Sequence, residues 1–340
     1  MNIDHIHFYV ENANQTRDWL IQTMGLQSFG QKVETHTQTE YVGNAHLLFL
    51  VSAPLTPLSP VADYLKNHPS GVVDIAFQIQ DLELMLTKVL NLGMQIFQKR
   101  VSSSGEIQSF KIKGWGDYYH TLVKHKTSIS GVKDLSQFSA QITAIDHLVL
   151  NVHSGQLDLA VNWYKTLFDF QVQQIFTIQT HYSGLYSKAL IDHTGQLQFN
   201  INEPSTSNSQ IQTFLEHNHG AGIQHIALYT QNIFQAVSDL RKKGLGFLPI
   251  PKSYYAALKY RSQQLLNVAF NAQEWQALEA LEILLDWSDQ QPEALLMQIF
   301  TQPIFDQPTF FFELIERRQQ KQGFGEGNFL ALFQAMEALL

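Results

Sequence analysis

The chain has 340 residues, a formal net charge of −8 and no cysteine, and 44% of its residues are hydrophobic. At about 150 residues per domain, this length predicts two domains that can each bury a core. The lack of cysteine excludes disulfides, cysteine-ligated metal sites and a thiol nucleophile. The acidic balance, with short basic clusters such as Lys242-Lys243, which follows Arg241, and Arg317-Arg318, argues against a nucleic-acid or anionic-membrane partner.

The start of the chain lacks the basic region and apolar core of a signal peptide, and no run of about 18 apolar residues occurs. We therefore expect a soluble, cytoplasmic protein with no membrane partner. The 14 histidines and 23 phenylalanines are unusual for this length. They provide many candidate metal ligands among many aromatic rings.

Four stretches of the chain repeat one pattern, starting at Ile3, Val72, Ile145 and Ile223. Each predicts an alternating strand, a short polar break and then a helix. Short alternating runs behind each helix, such as HLLFLVSA and LQFNINEP, predict about three further strands. The unit is therefore βαβββ. Because its sheet has one open face, units must pair, and four units make two domains of an α+β protein.

The last repeat and the end of the chain carry additional helical patterns. The apolar spacing of Ile233 to Leu240 predicts a helix that the sequence Lys242-Lys243-Gly244 closes. The segment NAQEWQALEALEILLDW predicts an inserted helix. A terminal amphipathic helix is predicted over residues 328–340, with Phe329, Leu332, Phe333 and Met336 on one face. The polar stretch SISGVKDLSQFSAQ predicts the seam between domains of residues 1–135 and 136–340.

Two histidines occupy equivalent places in the third and fourth repeats. Strict alternation in IDHLVLNV puts His147 on the face of Ile145, and alternation in IQHIALYT puts His225 on the face of Ile223 and Ala227. A single histidine of this kind is more often a core residue with a hydrogen-bond partner. Two at the same place in paired repeats weaken that explanation.

A carboxylate lies within the strongly apolar strand TFFFELIERR, where Glu313 shares a face with Phe311 and Ile315. Burying an unpaired carboxylate costs roughly several kcal/mol, so Glu313 must be protonated, paired or bound to a cation. Arg317 and Arg318 follow the apolar part of the strand and are expected to face solvent. Two histidines and one carboxylate form the facial triad of non-haem Fe(II) enzymes, although zinc and manganese use the same ligands.

Uncharged hydrogen-bonding residues and phenylalanines predict the rest of a pocket. Neutral amides could hold a carboxylate or phenol without competing for the metal, although each could equally be a surface or capping residue. Ser209, for example, could cap the helix that begins near Gln210. The phenylalanines could stack on an aromatic substrate or simply pack in the core. The candidates are Ser187, Asn202, Gln210, Gln224, Gln298, Phe311, Phe324 and Phe329.

The motifs IDHLVLNV, NEP, SQIQTFLEHNHGAGIQHIAL, LLMQIFTQP, FFFELIERR and GFGEGNFLALF, in this order, resemble the C-terminal half of the 4-hydroxyphenylpyruvate dioxygenase family. The N-terminal half matches only in its repeat pattern. The resemblance implies the vicinal-oxygen-chelate (VOC) fold, in which four βαβββ modules form two open barrel domains. It also implies a metal-free N-terminal domain, a terminal helix that covers the pocket, and a homo-oligomer, either a dimer or a tetramer.

The same resemblance implies that His147, His225 and Glu313 hold Fe(II). It implies a reaction of tyrosine catabolism in which 4-hydroxyphenylpyruvate and O2 give homogentisate and CO2 by oxidative decarboxylation, ring hydroxylation and side-chain migration. Asn202, Gln224 and Gln298 are expected to act in catalysis. The substrate-binding positions that match the family are Ser187, Asn202, Gln210, Gln224, Gln298, Phe300, Phe311, Phe324 and Phe329.

Two alternatives stay open beside this activity. A 4-hydroxymandelate synthase has the same fold, iron site and substrate but hydroxylates the side chain, and Asn202 and Phe311 fit the dioxygenase pattern better. A binding protein of the same fold would sequester a ligand without turnover, but it gains nothing from an intact triad. The product therefore decides between these functions.

A second metal site is conceivable in the N-terminal half. Aligning the repeats places His5, Asp74 and His120 opposite the three candidate ligands. We expect no functional metal there, because the resemblance implies a metal-free domain and no equivalent pocket amides are apparent. The GFGEGN motif lacks the Lys-Ser/Thr of a nucleotide site, and no G-x-S-x-G hydrolase motif occurs.

Overall fold

A computed structural model describes residues 1–125, 141–179, 183–195, 197–263, 270–288, 290–319, 321–329 and 331 of the protein. The predicted domain seam lies outside these residues except for Gln141, and so does most of the predicted terminal helix. The described residues form two curled sheets of eight strands each. None of the described helices is both long and apolar enough to cross a membrane.

The first sheet belongs to the N-terminal half of the chain. Its elements are Asn2–Tyr9 (β1), Ala13–Met24 (α1), Gln27–Val33 (β2), Thr37–Gly43 (β3), Leu48–Pro54 (β4), Pro60–Leu65 (α2), Gly71–Gln78 (β5), Leu82–Asn91 (α3), Ile96–Val101 (β6), Ile107–Lys113 (β7) and Tyr119–Val123 (β8). The strands are ordered β2-β3-β4-β1-β5-β8-β7-β6. Two βαβββ modules therefore meet where β1 pairs with β5.

The second sheet repeats this arrangement. Its elements are Ile142–Asn151 (β9), Leu157–Phe168 (α4), Gln171–Gln179 (β10), Gly184–Ile191 (β11), Gln198–Pro204 (β12), Gln210–Asn218 (α5), Gly222–Thr230 (β13), Ile233–Lys242 (α6), Lys252–Gln263 (α7), Ala272–Ala280 (α8), Leu284–Ser288 (β14), Gln291–Phe300 (β15) and Phe311–Arg317 (β16). A short 3-10 helix follows at Glu326–Asn328. The strand order is β10-β11-β12-β9-β13-β16-β15-β14, which confirms the predicted fourfold repeat.

The first strand of each module lies at the centre of its sheet because it pairs in parallel with the last strand of the same module. The two central strands of each sheet, β1 with β5 and β9 with β13, pair antiparallel. Aromatic contacts join the two sheets in one continuous core: Phe49 stacks on Phe312 at 5.8 Å, and Phe77 meets Phe168 edge-on at 5.3 Å. The opposite, concave face of each sheet remains for a site.

The ends of α6 follow the sequence closely. The Asn232 side chain accepts a hydrogen bond from the backbone N–H of Gln235 at the N-terminus. The helix ends at Lys242, and Gly244 follows with φ +90°, a conformation that only glycine adopts without strain. The predicted basic last turn and glycine after it are therefore confirmed.

The inserted helix is shorter than predicted. Asn271 and Glu274 form a capping box at the start of α8, but the helix ends at Ala280 and residues 284–288 form β14. Glu282 has a positive φ of 57° and breaks the helix. Pairing with β15 buries Trp287 almost completely, with 2% exposed, which a continued helix would not provide. Tertiary pairing thus overrides the local helical pattern.

Candidate metal centre

Three adjacent strands of the second sheet bring His147, His225 and Glu313 together. Ala227 on β13 pairs with His147 on β9 on one side and with Glu313 on β16 on the other. His225 precedes Ala227 by two residues and therefore shares its face of the sheet. One ligand-type atom from each of the three residues lies within 4.8 Å of the others. Residues remote along the chain thus meet at one point on the concave face.

Two β-bulges determine which side chains face this point. One extra residue, Asp146 in β9 and Gln224 in β13, interrupts the regular pairing just before each histidine. Ile145 and Ile223 consequently pack in the main core rather than beside the histidines. The prediction that they share the histidines' face is wrong, because a bulge shifts the alternation by one residue.

The three side chains are buried and close enough to share a cation. The Oε2 atom of Glu313 lies 3.3 Å from Nε2 of His147 and 3.5 Å from Nε2 of His225. Glu313 is 1% exposed, His147 3% and His225 7%. Two imidazole nitrogens and a carboxylate oxygen directed at one point are the donor set of a mononuclear non-haem metal site. The residues present therefore fit a divalent metal ion.

Electrostatics in this cluster follow from burial and proximity. Burial alone would lower the pKa of His147, but the carboxylates of Glu313 and Asp146 raise it to about 9. Burial opposes ionisation of Glu313, yet the two imidazoles bring the pKa of that carboxyl below its usual value. Burial lowers the pKa of His225. The carboxylate thus needs a positive partner, which in the protein without metal is a proton on His147.

His147 is anchored on its far side by a buried ion pair. Asp146 accepts a hydrogen bond from Nδ1 of His147 at 2.9 Å, and Arg317 donates to both oxygens of Asp146 at 2.7 Å. The side chain of Arg317 is 11% exposed, so the prediction that it faces solvent is wrong. The buried Asp146 carboxylate draws it inward. Arg318 instead pairs with Glu316 and Glu274.

Glu313 is held by a chain of polar side chains. Gln298 donates from Nε2 to Oε1 of Glu313 at 3.1 Å, and Asn328 donates to Oε1 of Gln298 at 3.0 Å. The hydroxyl of Tyr254 on α7 donates to Oδ1 of Asn328 at 2.7 Å, and it accepts from the backbone N–H of Leu285 at 2.8 Å. Sequence reasoning missed Tyr254 and Asn328. The only signal in the sequence was for Asn328, which is the polar last residue of the GFGEGN motif.

The metal-type residues face a small cavity of about 50 Å³. Eight of the nine substrate-binding candidates line it: Ser187, Asn202, Gln210, Gln224, Gln298, Phe300, Phe324 and Phe329. Five further lining residues were not anticipated: Val149, Ile178, Leu185, Asn200 and Ile211. Val149 and Asn200 could have been found by alternation, since each lies two residues from a named one.

Phe311, the ninth candidate, stacks on the imidazole of His225 with ring centroids 4.7 Å apart and an interplanar angle of 20°. It therefore orients a ligand-type side chain. Phe324 meets His147 edge-on at 5.2 Å. Ser209 accepts a hydrogen bond from the backbone N–H of Ile211 and caps α5, so Gln210 is free to point into the cavity. Each histidine thus has an aromatic ring against it.

A larger groove of about 960 Å³ lies at the seam between the two halves, between α1, the end of α5 and residues 304–307. Its lining includes Trp19, His68, His219 and Phe305 but none of the three metal-type residues. Volume alone therefore does not mark the functional site. The convergence of ligands does.

The first sheet carries a degenerate version of the same centre. Asp74 pairs with Tyr119 as His225 pairs with Phe311, so the counterpart of Glu313, two residues further along, is Thr121. The alignment of His120 with Glu313 is thus wrong by one residue. Because one residue reverses the face of a strand, His120 points into the core. There it accepts from or donates to the hydroxyl of Tyr164 at 3.0 Å.

In the first sheet, Lys111 neutralises Asp74, the counterpart of His225. The ammonium of Lys111 lies 2.8 Å from Asp74, which also accepts hydrogen bonds from the backbone N–H and hydroxyl of Thr121. His5, the counterpart of His147, is hydrogen-bonded to Asp4 at 2.7 Å. The positive charge that a metal would supply is thus a side-chain ammonium here.

The paired βαβββ modules and the concave ligand cluster define a protein of the VOC superfamily. The family model described as Glyoxalase/Bleomycin resistance protein/Dioxygenase superfamily matches residues 144–262. The structure is similar to a variant of 4-hydroxymandelate synthase from Streptomyces coelicolor, with a TM-score of 0.87 and 23% identity, covering 99% of this chain and 98% of that chain. This likeness concerns the fold.

Comparison of whole sequences narrows the class. The chain is 32% identical to 4-hydroxyphenylpyruvate dioxygenase of Dictyostelium discoideum, over 98% of this chain and 96% of that protein. It is 31% identical to the enzyme of that name from Danio rerio, over 99% and 90%. An uncharacterized protein of Synechocystis sp. is 38% identical, over 100% and 98%. The chain belongs to the 4-hydroxyphenylpyruvate dioxygenase family.

Proposed function

We propose that the protein is an Fe(II)-dependent dioxygenase that converts 4-hydroxyphenylpyruvate and O2 into homogentisate and CO2. The observation that carries this proposal is the buried triad of His147, His225 and Glu313, whose ligand-type atoms lie within 4.8 Å of one another at the wall of an amide- and phenylalanine-lined cavity. Relatives of that name at 31–32% identity, covering nearly the whole chain, support the same activity.

The residues around the triad indicate which atoms would hold the metal. Nδ1 of His147 is engaged by Asp146 and Oε1 of Glu313 by Gln298, so Nε2 and Oε2 remain for the ion. Fe(II) in a facial triad supplies open coordination positions at which a 2-oxo acid and O2 are brought together and O2 is activated. His147, His225 and Glu313 would hold the ion at the wall of the cavity and leave the cavity itself for the substrate.

Neutral polar side chains are suited to orient the substrate without displacing the metal. Asn202 donates to Asn151 and holds its amide against the cavity, while Oε1 of Gln210 is buried without a hydrogen-bond partner among the described residues. Such an acceptor is available for the phenol hydroxyl. Gln224 and Gln298, beside His225 and Glu313, are placed to position the 2-oxo acid end. Ser187 completes the polar lining.

The aromatic walls serve orientation and exclusion of water. The cavity is lined by Phe300, Phe324 and Phe329. The ring centroid of Phe329 lies 5.4 Å from that of Phe176. A cavity of about 50 Å³ is smaller than the roughly 150 Å³ that accommodates benzene in an engineered protein core. The side chains at its mouth must therefore move to admit a phenylpyruvate. Their return would enclose the ring beside the metal and fix its direction.

A product assay tests this function. Purified protein supplied with Fe(II) and ascorbate is expected to consume O2 with 4-hydroxyphenylpyruvate and to release homogentisate, identified by chromatography. The dioxygenase and 4-hydroxymandelate synthase use the same substrate and metal, so only the product distinguishes them. Release of 4-hydroxymandelate would therefore assign the synthase activity. If the protein binds Fe(II) and 4-hydroxyphenylpyruvate but forms no product, it is a binding protein of the same fold.

The organisation of the chain forms part of the proposal. Residues 1–135 form the N-terminal VOC domain without a functional metal, and residues 136–340 form the catalytic domain with a terminal helix over residues 328–340. We also propose a cytoplasmic homo-oligomer, either a dimer or a tetramer. Light scattering during size-exclusion chromatography measures the oligomeric state directly.

A further inference from the structure

We infer that Asp146 and Arg317 form a positioning pair, which holds His147 ready for the metal and at the same time fixes the chain segment that carries Phe324 to the site. This inference rests on the proposed function only in requiring a metal at the triad. It assigns a task to two residues that need not touch substrate or metal. One set of their contacts reaches the metal-ligand candidate His147 and is called the ligand side. The other set reaches the backbone of residues 321–323 and is called the connector side.

On the ligand side, the bulge in β9 lets Asp146 reach the ring of the residue that follows it. Its carboxylate accepts the Nδ1 proton of His147 at 2.9 Å, which leaves Nε2 as the lone-pair nitrogen that a metal requires. Both oxygens of Asp146 are in turn held by Arg317 at 2.7 Å, from Nε and from Nη2. A planar guanidinium holds a carboxylate in one orientation, which an ammonium does not.

On the connector side, the third nitrogen of Arg317 binds the backbone. Nη1 donates to the carbonyl oxygens of Lys321 at 3.0 Å and of Gly323 at 2.7 Å. Residues 321–323, here called the connector, lead directly to Phe324, whose ring meets His147 edge-on at 5.2 Å. One guanidinium therefore links a ligand's orientation to the aromatic wall beside it.

The other half of the protein shows that the bulge alone does not require this arginine. In β1 the same bulge sets Asp4 against Nδ1 of His5 at 2.7 Å. The strand position equivalent to Arg317, four residues beyond Thr121, is His125, which is exposed. The arginine thus occurs only in the sheet that carries the complete triad. A function at that triad explains its burial better than a need of the fold.

Metal titration measures the ligand side. Metal-free protein is titrated with Co(II) by calorimetry, and the visible absorption of bound Co(II) reports the ligand set. Asp146→Asn is expected to weaken Co(II) binding about 10- to 100-fold, because an amide can turn its N–H toward Nδ1 and move the proton to Nε2. Arg317→Met is expected to weaken it in the same way. Arg318→Met, which removes a neighbouring arginine that pairs with Glu316 and Glu274 rather than with Asp146, is the matched control and should change it less than about threefold.

Hydrogen–deuterium exchange measures the connector side in Co(II)-saturated protein. The peptide that contains residues 321–324 is expected to exchange faster in Arg317→Met but not in Arg318→Met. Arg317→Lys separates the two tasks: its charge still faces Asp146 but does not fix the orientation of the carboxylate, so Co(II) affinity should lie between that of Arg317→Met and that of the wild type. Its single ammonium cannot reach both carbonyls, so exchange stays fast. KM should rise in this variant while kcat changes little.

The outcomes distinguish this inference from the proposed function. Wild-type protein that fails to bind Co(II) would contradict the metal site itself. Wild-type binding together with unchanged affinity in both Asp146→Asn and Arg317→Met, or unchanged exchange of the connector in Arg317→Met, would overturn the positioning pair. If Arg317→Met does not fold, the double variant Asp146→Asn/Arg317→Met, which leaves no unpaired buried charge, replaces it with the same expected losses.

Discussion

His147 and Glu313 lie on either side of Ala227, one on each neighbouring strand, and this pairing brings Nε2 of the histidine to 3.3 Å from Oε2 of the glutamate. The two residues are separated by 166 positions along the chain, yet a single register of three strands sets their distance. Ala227 is fully buried between them and leaves room for their side chains. The metal centre is therefore a property of strand pairing.

Glu313→Ala should abolish metal retention without unfolding the protein. We expect metal affinity to fall by more than about 100-fold, because one of three ligands is removed. This is more than the loss expected for Asp146→Asn, which changes a residue that contacts His147 but not the metal. Calorimetry with Fe(II) or Co(II) measures the affinity, and thermal unfolding followed by circular dichroism checks the fold. Full metal occupancy and activity in this variant would show that the ligand assignment is wrong.

Glu316→Ala provides the control on the same strand. Oε2 of Glu316 accepts from the backbone N–H of Ile233 at 2.8 Å, at the N-terminus of α6, and the residue is 5% exposed. Its loss removes this bond and the ion pair with Arg318, which should cost about 1–2 kcal/mol of stability while metal binding stays unchanged. The two glutamates thus separate metal binding from stability.

Tyr254→Phe should impair substrate binding through the chain that leads to Glu313. Removing the hydroxyl leaves Oδ1 of Asn328 without its bond to that group and frees Asn328 and Gln298 to reorient. We expect a stability loss of about 1–2 kcal/mol and a rise in KM of several-fold. Steady-state kinetics and chemical unfolding measure the two effects. The control is Tyr255→Phe, which loses a hydrogen bond to the carbonyl oxygen of Ile283 and should lower stability slightly without changing KM. An equal KM in the two variants would show that the hydrogen-bond chain from Tyr254 to Glu313 does not affect substrate binding.

His120 should make the folded protein sensitive to acid. Burial lowers the pKa of His120 to about 4, from an ordinary value of 6.5. The folded state therefore binds fewer protons than the unfolded state, so stability is complete above pH 6.5 and falls as the pH drops toward 4. The loss is about 3 kcal/mol in total.

His120→Gln removes this titration. Chemical unfolding between pH 7 and 4 should show a shallower loss of stability in the variant than in the wild type. His7, whose burial lowers its pKa to about 3, titrates in both proteins and does not affect the difference. Parallel stability curves for the two proteins over this range would refute the role of His120.

Lys111→Met should destabilise the first sheet strongly. Asp74 is 1% exposed and loses its only ammonium partner among the described residues, and an unpaired buried charge typically costs about 3–5 kcal/mol. The double variant Asp74→Asn/Lys111→Met should recover most of that loss, since no charge remains buried. Thermal and chemical unfolding measure both proteins. A single variant as stable as wild type would mean that Asp74 is neutral in the native state.

The candidate site was visible in the sequence wherever a residue contradicted its surroundings. Glu313 within an apolar strand marks a site because burial of a lone carboxylate is costly. The two histidines stood out by recurring at the same place in two repeats. The contacts around them were not visible: Asp146 and Arg317 are separated by 171 positions, and Tyr254 by 74 from Asn328. No periodicity encodes such pairs.

The sequence by itself determined the four βαβββ units, the ends of α6 and the identity of the three metal-type residues, because hydrophobic alternation and capping act over a few neighbouring positions. Tertiary structure decided the face of Ile145 and Ile223, the inward turn of Arg317, the change from helix to strand after Ala280 and the burial of His120. Each depends on which strand lies alongside and in what register. Those pairings gain their free energy only when distant segments come together, so a local pattern cannot reveal them.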